Sequence, residues 1–256
     1  MPELPEVETV RTGLARHIVG KKIKAVEVRH PRATSPKSIA SLTSITGAKI
    51  KAVKRRGKFM WVELDRPEVL VAHLGMSGQL LIKKSSEPAE KHLRVRLDLG
   101  SFDLRFIDQR TFGWLSVEST IDGIPQCASH IALDPFDEAF NVNETITRFL
   151  SRRTEIKRAL LDQEIMSGVG NIYADEALWY AQINPMVSCE KLTQTQVKNI
   201  ITAAKKVMAK SLKAGGTSFD DLYVNINGQS GYYERSLAVY GREGEKCRRC
   251  GKQHSG

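Results

Sequence analysis

The stretch MPELPEVETV, Met1 to Val10, opens the chain with two prolines and then starts an apolar pattern with the period of an α-helix. Proline is tolerated in a first helical turn, where an N–H has no intrahelical partner. Apolar residues at intervals of three and four predict one amphipathic helix over residues 5–18; they are Val7, Val10, Leu14 and Ile18. The chain therefore starts with a short extended segment that leads directly into a helix.

Position 2 also has a chemical interpretation. Initiator methionine is usually trimmed when the next side chain is small, so we expect a mature chain that starts with the secondary amine of Pro2. An α-amino group has a reference pKa of about 8 against roughly 10.4 for lysine, so near neutral pH it is uncharged far more often. Since a nucleophilic amine needs the neutral form, Pro2 is a candidate nucleophile. The alternative is that Pro2 and Pro5 only keep the terminus extended.

Composition indicates the kind of partner. The 256 residues are enough for two modest domains, and the net charge of +10 with a pI of about 9.5 favours a polyanion, above all nucleic acid. A generic solubilising surface or an anionic membrane are the alternatives. With no apolar run of spanning length, no signal peptide pattern and no disulfide framework among four cysteines, we expect a soluble, intracellular protein in a reducing compartment.

Strand patterns dominate the first half of the chain and helix patterns the second. The predicted strands are residues 22–30, 50–53, 59–64, 69–73, 93–99 and 104–107. The fold class is therefore α+β with two domains, an N-terminal β-sandwich with a helix and a C-terminal helical domain. The expected boundaries are 1–121 for the β domain, 122–143 for a linker, 144–222 for the helical domain, and 223–256 for a loop and a cysteine-bearing tail.

Six blocks in order connect the chain to a known family. Besides the first nine residues, they are RRGKF (55–59), HLGMSG (73–78), DQRTFG (108–113), SGVGNIYADEALW (167–179) and LAVYGREGEKCRRCG (237–251). Together they resemble the formamidopyrimidine-DNA glycosylases, base-excision repair enzymes that remove oxidised purines such as 8-oxoguanine. Leu4 is typical of this branch, whereas the related endonuclease VIII branch carries glycine there.

The resemblance implies a glycosylase and apurinic-site lyase that acts through a proline Schiff base and β,δ-elimination. Pro2 is then the nucleophile, Glu3 the general acid/base and Glu6 a supporting carboxylate. Lys58 reaches the lesion and its phosphate, brought in by a tight turn at Gly57. The arginines beside it are expected to serve phosphates, and Glu8 to complement only the helix dipole.

A glycosylase must extrude its target nucleotide from the duplex. By resemblance, Met76 and Phe112 wedge the base stack while Arg110 bonds the orphaned base, usually cytosine. Arg110 and Phe112 are two residues apart and therefore on the same side if the segment is extended.

The glycines of SGVGN allow backbone amides to approach an anion at the start of a helix, which predicts a helix-two-turn-helix phosphate clamp. A plain turn between two helices is the alternative. The expected DNA-binding residues of this clamp and its surroundings are His92, Arg152, Lys157, Gly170, Asn171 and Tyr240.

Cys247 and Cys250 form the first half of a zinc ribbon by resemblance, and the sequence stops at Gly256 before a second cysteine pair. Since structural zinc needs four ligands, zinc binding is a family expectation that this sequence meets only by half, with His254 as a candidate third ligand. The chain is either shortened within the ribbon or a natural short form.

The expected partner of the protein is damaged duplex DNA. We expect a monomer that binds double-stranded DNA with oxidised purines, in the bacterial cytoplasm and associated with the nucleoid, with the loop from Phe219 to Tyr232 closing over the flipped base. The alternatives are a non-catalytic lesion binder that lost activity with its ribbon, and an endonuclease VIII-like enzyme for oxidised pyrimidines. An RNA-binding protein explains the charge but not the Pro2-Glu3 terminus.

Overall fold

A computed structural model describes residues 2–217 and 225–253. The first helix, α1, spans Leu4–Ile18, as the apolar period predicts. Its apolar side packs against strands, whereas Leu4 at its start belongs to the core of the helical half. The amino-terminal helix therefore connects the two hydrophobic cores of the molecule.

Two four-stranded antiparallel sheets form the β domain, in the orders β1-β6-β7-β5 and β2-β3-β4-β8. Buried residues of both sheets and of α1 share one core, which makes this half a β-sandwich with a helix, as predicted. The eight strands are β1 Ala25–Val28, β2 Ile50–Arg56, β3 Phe59–Leu64, β4 Val69–His73, β5 Gly78–Lys83, β6 Leu93–Asp98, β7 Asp103–Asp108 and β8 Trp114–Glu118.

The sequence prediction missed β5 and β8 and made β1 too long. Neither β5 nor β8 alternates strictly between apolar and polar residues, and no residue of either strand is exposed. Lys22 forms only an isolated bridge with Lys49, so regular pairing of the first strand is confined to Ala25–Val28. The segment expected to be a linker, 122–143, contains β10 Ile124–Pro125, which pairs with β9 Thr120–Ile121 just before it. It also contains one 3-10 turn and the first two residues of the helix that starts at Val142.

Four helices form the second half, as the helical pattern predicts. They are α2 Val142–Leu150, α3 Ile156–Leu161, α4 Asn171–Ala181 and α5 Gln194–Lys213. Their buried faces make a second core, to which Tyr173 and Phe149 contribute the largest side chains. No helix in residues 2–217 and 225–253 is long and apolar enough to cross a membrane.

The chain returns to the β domain after α5. Ile226 is buried in the β-sandwich core, and its carbonyl accepts the Ile82 N–H at 3.0 Å. The loop from Phe219 to Tyr232, predicted to be polar, therefore contains an apolar residue that packs into the β-sandwich core. Residues 219–224 of that loop lie outside the described residues.

Candidate active site at the domain junction

The carboxyl group of Glu3 caps a helix of the other domain. It accepts backbone N–H bonds from Gly170 at 2.5 Å, Ile172 at 2.8 Å and Tyr173 at 3.4 Å, all at the start of α4. The first amides of a helix lack intrahelical acceptors and carry partial positive charge, so a carboxylate is stabilised there. Glu3 is thereby held in the junction between the β-sandwich and the helical domain.

Glycines make this approach sterically possible. A Cβ on Gly170 would lie 2.5 Å from the Glu3 carboxyl carbon, and one on Gly168 would lie 2.6 Å from a Leu4 methyl group. Gly168 also has φ +93°, in the left-handed region that favours glycine. The SGVGN turn does admit an anion at a helix start, but in this structure that anion is Glu3. The Gly170 N–H is thus occupied by Glu3, and a contact of Gly170 with DNA phosphate stays a prediction.

Burial raises the pKa of Glu3 to about 7, with Glu6 adding to the rise and Lys58 opposing it. A carboxyl group with that pKa is present in both protonation states near neutral pH, which is the property that a proton donor and acceptor needs. Burial also lowers the pKa of Lys58 below its ordinary value, against the attraction of Glu3 and Glu6. The junction thus contains one acid and one base with pKa values displaced toward each other.

Lys58 reaches the junction through the tight turn that the sequence predicts. Arg56 and Phe59 are paired at the end of the β2–β3 hairpin, which leaves Gly57 and Lys58 as its two turn residues. Gly57 has φ +54°, the conformation that a type II′ hairpin turn requires at its first central position. Lys58 is buried as a result.

Arg55, one of the arginines expected to serve phosphates, is engaged in ion pairs within the protein. Its guanidinium pairs with Glu8 at 2.9 Å and with Asp134 at 2.8 Å, and its side chain is almost fully buried. Glu8 also pairs with Arg11, so it has structural partners beyond the helix dipole. These ion pairs attach α1 and the segment after β10 to the β2–β3 hairpin.

Met76, Arg110 and Phe112 lie on two adjoining loops at the ends of the paired strands β5 and β7. Met76 is 40 % exposed and Phe112 is 54 % exposed, unusual values for large apolar side chains. The premise of an extended segment was wrong, because Thr111 has φ +55°. The loops instead meet at backbone level, where a Cβ on Gly75 would lie 2.5 Å from the Gly113 nitrogen.

Sequence reasoning missed the residue that organises these loops. The buried Asp108 carboxylate accepts the backbone N–H of Gly113 at 2.7 Å and of Arg110 at 3.2 Å, and it also bonds the Ser77 hydroxyl. The signal was present, since aspartate readily bonds amides a few residues farther along the chain. Asp108 therefore holds Arg110 and Phe112 beside the loop of Met76.

The remaining predicted DNA contacts lie on both domains. Asn171 is exposed at the start of α4, while Lys157 pairs with Asp175 at 2.7 Å and Arg152 with Asp162 at 3.2 Å. The backbone carbonyl of His92 accepts the Asp108 N–H at 3.0 Å, so His92 adjoins the loop of Arg110.

Tyr240 is positioned by a residue that the sequence analysis did not single out. The fully buried Glu176 carboxylate accepts backbone N–H bonds from Ala238 at 2.9 Å, Val239 at 2.8 Å and Tyr240 at 3.1 Å. Glu176 lies one turn and a half after Asn171 on α4, within the block that carries the family resemblance. It fastens the segment after residue 236 to α4.

Cys247 and Cys250 lie on one tight turn docked on the end of α4. The Arg249 guanidinium lies 4.0 Å from the Trp179 ring centroid, and the Arg249 N–H bonds the Cys247 sulfur at 3.4 Å. Backbone amides of Cys250 and Arg249 lower the pKa of the Cys247 thiol to about 7. Within the described part of the chain no group of three or more metal-ligating side chains occurs, so two thiols do not complete a tetrahedral zinc site. His254 lies outside the described residues.

A β-sandwich with two exposed, adjoining loops is thus joined to a helical domain across buried acids. Known proteins share this architecture. The sequence profile of the formamidopyrimidine-DNA glycosylase N-terminal domain matches residues 1–115, and that of the formamidopyrimidine-DNA glycosylase H2TH domain matches residues 131–222. The chain belongs to the formamidopyrimidine-DNA glycosylase family.

Individual relatives match over almost the whole chain. The formamidopyrimidine-DNA glycosylase of Acidothermus cellulolyticus is 53% identical over 256 residues, covering 98% of this chain and 90% of the relative. That of Nocardioides sp. is 51% identical over 260 residues, covering 98% and 88%. The crystal structure of Lactococcus lactis Fpg with abasic-site DNA superposes with a TM-score of 0.89 at 32% identity, covering 99% of this chain and 93% of that one.

Proposed function

We propose that this protein is a base-excision repair DNA glycosylase and abasic-site lyase that removes oxidised purines from duplex DNA. Relatives at about half identity over the full chain carry the formamidopyrimidine-DNA glycosylase name, and similar solved structures hold DNA with abasic, Fapy-dG or 8-oxo-G sites. The observation that carries the proposal is Glu3, a buried carboxyl group with a pKa of about 7 next to Pro2. A non-catalytic lesion binder would not need that acid.

The proposed reaction begins once Met1 has been removed. The neutral amine of Pro2 attacks C1′ of the extruded nucleotide, the bond from C1′ to the base breaks, and the base leaves with a proton from Glu3. The proline nitrogen gives up its own proton, and the ring oxygen O4′ takes up a proton as the C1′–O4′ bond breaks. A cationic iminium is left between that nitrogen and C1′. Lys58 and Glu6 surround the reacting atoms with one positive and one negative charge.

The iminium then drives strand cleavage. It withdraws electrons from the C2′–H bond, so loss of that proton expels the 3′ phosphate by β-elimination. A second proton loss expels the 5′ phosphate by δ-elimination, and water releases the sugar fragment and regenerates the amine. The proton transfers of these steps are assigned to Glu3 and Lys58, whose pKa values are displaced toward each other.

The DNA is held open and gripped by groups on both domains. Met76 and Phe112 enter the stack and Arg110 bonds the orphaned base, because the loops that carry them lie side by side and exposed. Asn171, Lys157, Arg152, His92 and Tyr240 contact phosphates, which fixes register without reading sequence. The Asp partners of Lys157 and Arg152 are exchanged for phosphate when DNA arrives.

Zinc and localisation are the finer parts of the proposal. Zinc is usual in this family, but the two described thiols supply half of a tetrahedral shell, and no step above depends on the metal. We assign the enzyme to the bacterial cytoplasm at the nucleoid, as a monomer, because its substrate is chromosomal DNA.

Borohydride trapping tests the proposed chemistry directly. A duplex carrying 8-oxoguanine opposite cytosine should give a covalent adduct that maps to Pro2, because borohydride reduces the iminium to a stable amine. Pro2→Gly replaces the secondary amine by a primary amine and should trap more slowly. An acetylated amino terminus should give no adduct. Lesion binding without any adduct would favour the non-catalytic alternative, and an adduct on a chain that retains Met1 would refute the amine mechanism.

Lys58 should control the pH dependence of base excision. Because the Lys58 charge lowers the pKa of Glu3, Lys58→Gln should raise that pKa and move the alkaline limb of the excision profile to higher pH. The measurement is the single-turnover excision rate from pH 5.5 to 9. Lys54→Gln is the control, since Lys54 pairs with Glu63 on the next strand and is exposed. An alkaline limb that moves to lower pH in Lys58→Gln, or that moves equally in both variants, would contradict the proposed effect of the Lys58 charge on Glu3.

Asp108→Ala should weaken lesion binding by about tenfold, a loss of about 1.4 kcal/mol. The amides of Gly113 and Arg110 lose their acceptor, so the loop that carries Phe112 is no longer held in place. The measurement is Kd for a duplex with a tetrahydrofuran site. Asp98→Ala removes a comparable aspartate-to-amide bond, to Gly100, in the same sheet and should leave Kd unchanged. Equal Kd values for the two variants would contradict the role of Asp108.

A further inference from the structure

Three buried side chains from three helices form a continuous hydrogen-bonded chain behind the amino terminus. Ser211 on α5 lies 2.6 Å from the hydroxyl of Tyr173 on α4, and that hydroxyl lies 2.7 Å from Glu6 Oε1 on α1. Ser211 and Tyr173 are inaccessible to solvent and Glu6 is 7 % exposed. The mechanism proposed above uses Glu6 but assigns no task to the other two residues.

Glu6 has its full complement of donors. Oε1 accepts from the Tyr173 hydroxyl, from the Thr217 N–H at 2.9 Å and from the Thr217 hydroxyl at 3.0 Å. Oε2 accepts the Glu3 N–H at 2.9 Å. An ionised carboxylate has only acceptors to offer, so these four donors match the charged form of Glu6.

The direction of each hydrogen bond among Ser211, Tyr173 and Glu6 follows from the number of protons that each group can donate. Tyr173 has one hydroxyl proton and gives it to Glu6, so Ser211 must donate its own proton to the Tyr173 oxygen. One arrangement therefore satisfies all three groups. A buried polar network with every member satisfied is rigid and specifies one geometry.

We propose that Tyr173 and Ser211 are positioning residues for the Pro2 amine, and that they act through Glu6. The Glu3 N–H that Glu6 accepts belongs to the peptide group that Pro2 and Glu3 share, so Glu6 sets the plane of that peptide. The plane fixes the direction of the bond from the peptide carbon to the Pro2 Cα, so only rotation about that bond is left to orient the Pro2 ring and its nitrogen lone pair. A small misplacement of an attacking atom lowers the reaction rate strongly even when binding is intact.

A capping function alone does not account for this arrangement. In an ordinary capping box, the third residue of the helix turn bonds only the amide of the capping residue, as Glu6 Oε2 does. The other oxygen is instead held by α4 and by the segment that follows α5, which belong to the helical domain. The orientation of the Pro2–Glu3 peptide is thereby set by both domains. This inference rests on the proposed function.

The test compares Tyr173→Phe with Tyr233→Phe in the complete chain. Tyr233 stacks on Tyr173 with ring centroids 6.3 Å apart in the same core, and loss of its hydroxyl leaves all four donors to Glu6 in place. Two quantities are measured, the single-turnover rate of borohydride-trapped adduct at saturating enzyme and Kd for a tetrahydrofuran duplex. Tyr173→Phe should slow trapping on the order of tenfold or more with Kd unchanged, whereas Tyr233→Phe should trap like the wild type.

Ser211→Ala extends the test if Tyr173→Phe does not fold. It keeps the bond from Tyr173 to Glu6 and removes the donor behind it, so trapping should slow in the same direction by a smaller factor. Equal trapping rates in all variants, or rate and affinity falling together, would overturn the positioning role. A wild-type protein that binds the lesion but gives no adduct would refute the proposed function itself.

Discussion

Glu3→Gln should lower single-turnover excision of 8-oxoguanine by about 10²- to 10⁴-fold, the range that positioned general acids contribute. Glutamine has nearly the size of Glu3 but no acidic proton to give to the departing base, and its amide nitrogen would face a backbone N–H where Glu3 presents its second oxygen. Trapping on a pre-formed abasic site should fall much less, because no base leaves in that reaction. The ratio between the two substrates is the measurement that isolates proton donation.

The same substitution should change how stability depends on pH. The pKa of Glu3 is raised from 4.5 to about 7 by burial, so the folded state binds a proton that the unfolded state has already lost. The contribution of Glu3 is therefore fully present below pH 4.5 and is lost as pH rises through 7. Over that interval the free energy of unfolding of the wild type should fall by about 3 kcal/mol relative to Glu3→Gln.

Glu8→Gln is the matched control for both measurements. Glu8 lies on α1, five residues after Glu3, and pairs with Arg11 and with the nearly buried Arg55 of the β domain. Excision by this variant should equal that of the wild type. Equal losses on the lesion and the abasic substrate in Glu3→Gln, or parallel stability curves from pH 4.5 to 7, would show that Glu3 is not the proton donor.

Gly170→Ala should reduce excision at least a hundredfold, because the added Cβ would lie 2.5 Å from the Glu3 carboxyl carbon. The backbone at Gly170 has φ −128°, which alanine adopts without strain, so the effect is purely one of space. The displaced carboxylate loses the amides of α4, and overpacking of this kind costs about 1–3 kcal/mol of stability.

Gly123→Ala provides the comparison for this variant. An added Cβ there meets nothing within 4 Å, although the positive φ of +78° makes the substitution locally strained. It should cost some stability and leave excision intact. Wild-type excision by Gly170→Ala would mean that Glu3 works from a position other than the one held by the start of α4.

Local patterns were sufficient to predict the two-domain fold. The helical period of Val7 to Ile18, the alternation in β6 and the apolar, aromatic-bearing run of β3 are properties of adjacent residues, and each element formed where predicted. The missed strands β5 and β8 lack strict alternation, and none of their residues is exposed. The burial of these strands depends on residues far along the chain, and the pattern of neighbouring residues does not indicate it.

The sequence indicated which residues to place in the candidate site, but not which groups those residues contact. Pro2, Glu3 and Lys58 could be singled out from the terminus and the turn at Gly57. That the anion under the SGVGN turn is Glu3 could not, since the contact joins residues 167 positions apart. Asp108 and Glu176 were missed for a related reason. Both residues accept backbone N–H groups, which every residue except proline has, so no residue type in the sequence marks these contacts.

The attachment of the amino terminus to α4 has a consequence for how the chain is made. Glu3 meets amides 167 and 169 residues farther along, so this contact cannot form until α4 has left the ribosome. At about 5–20 residues per second, synthesis of that stretch takes roughly ten to thirty seconds. Throughout this interval the first residues have no partner and are accessible to an aminopeptidase. Exposure of the nucleophile to processing is therefore timed by translation, and burial of Leu4 and Glu3 ends it.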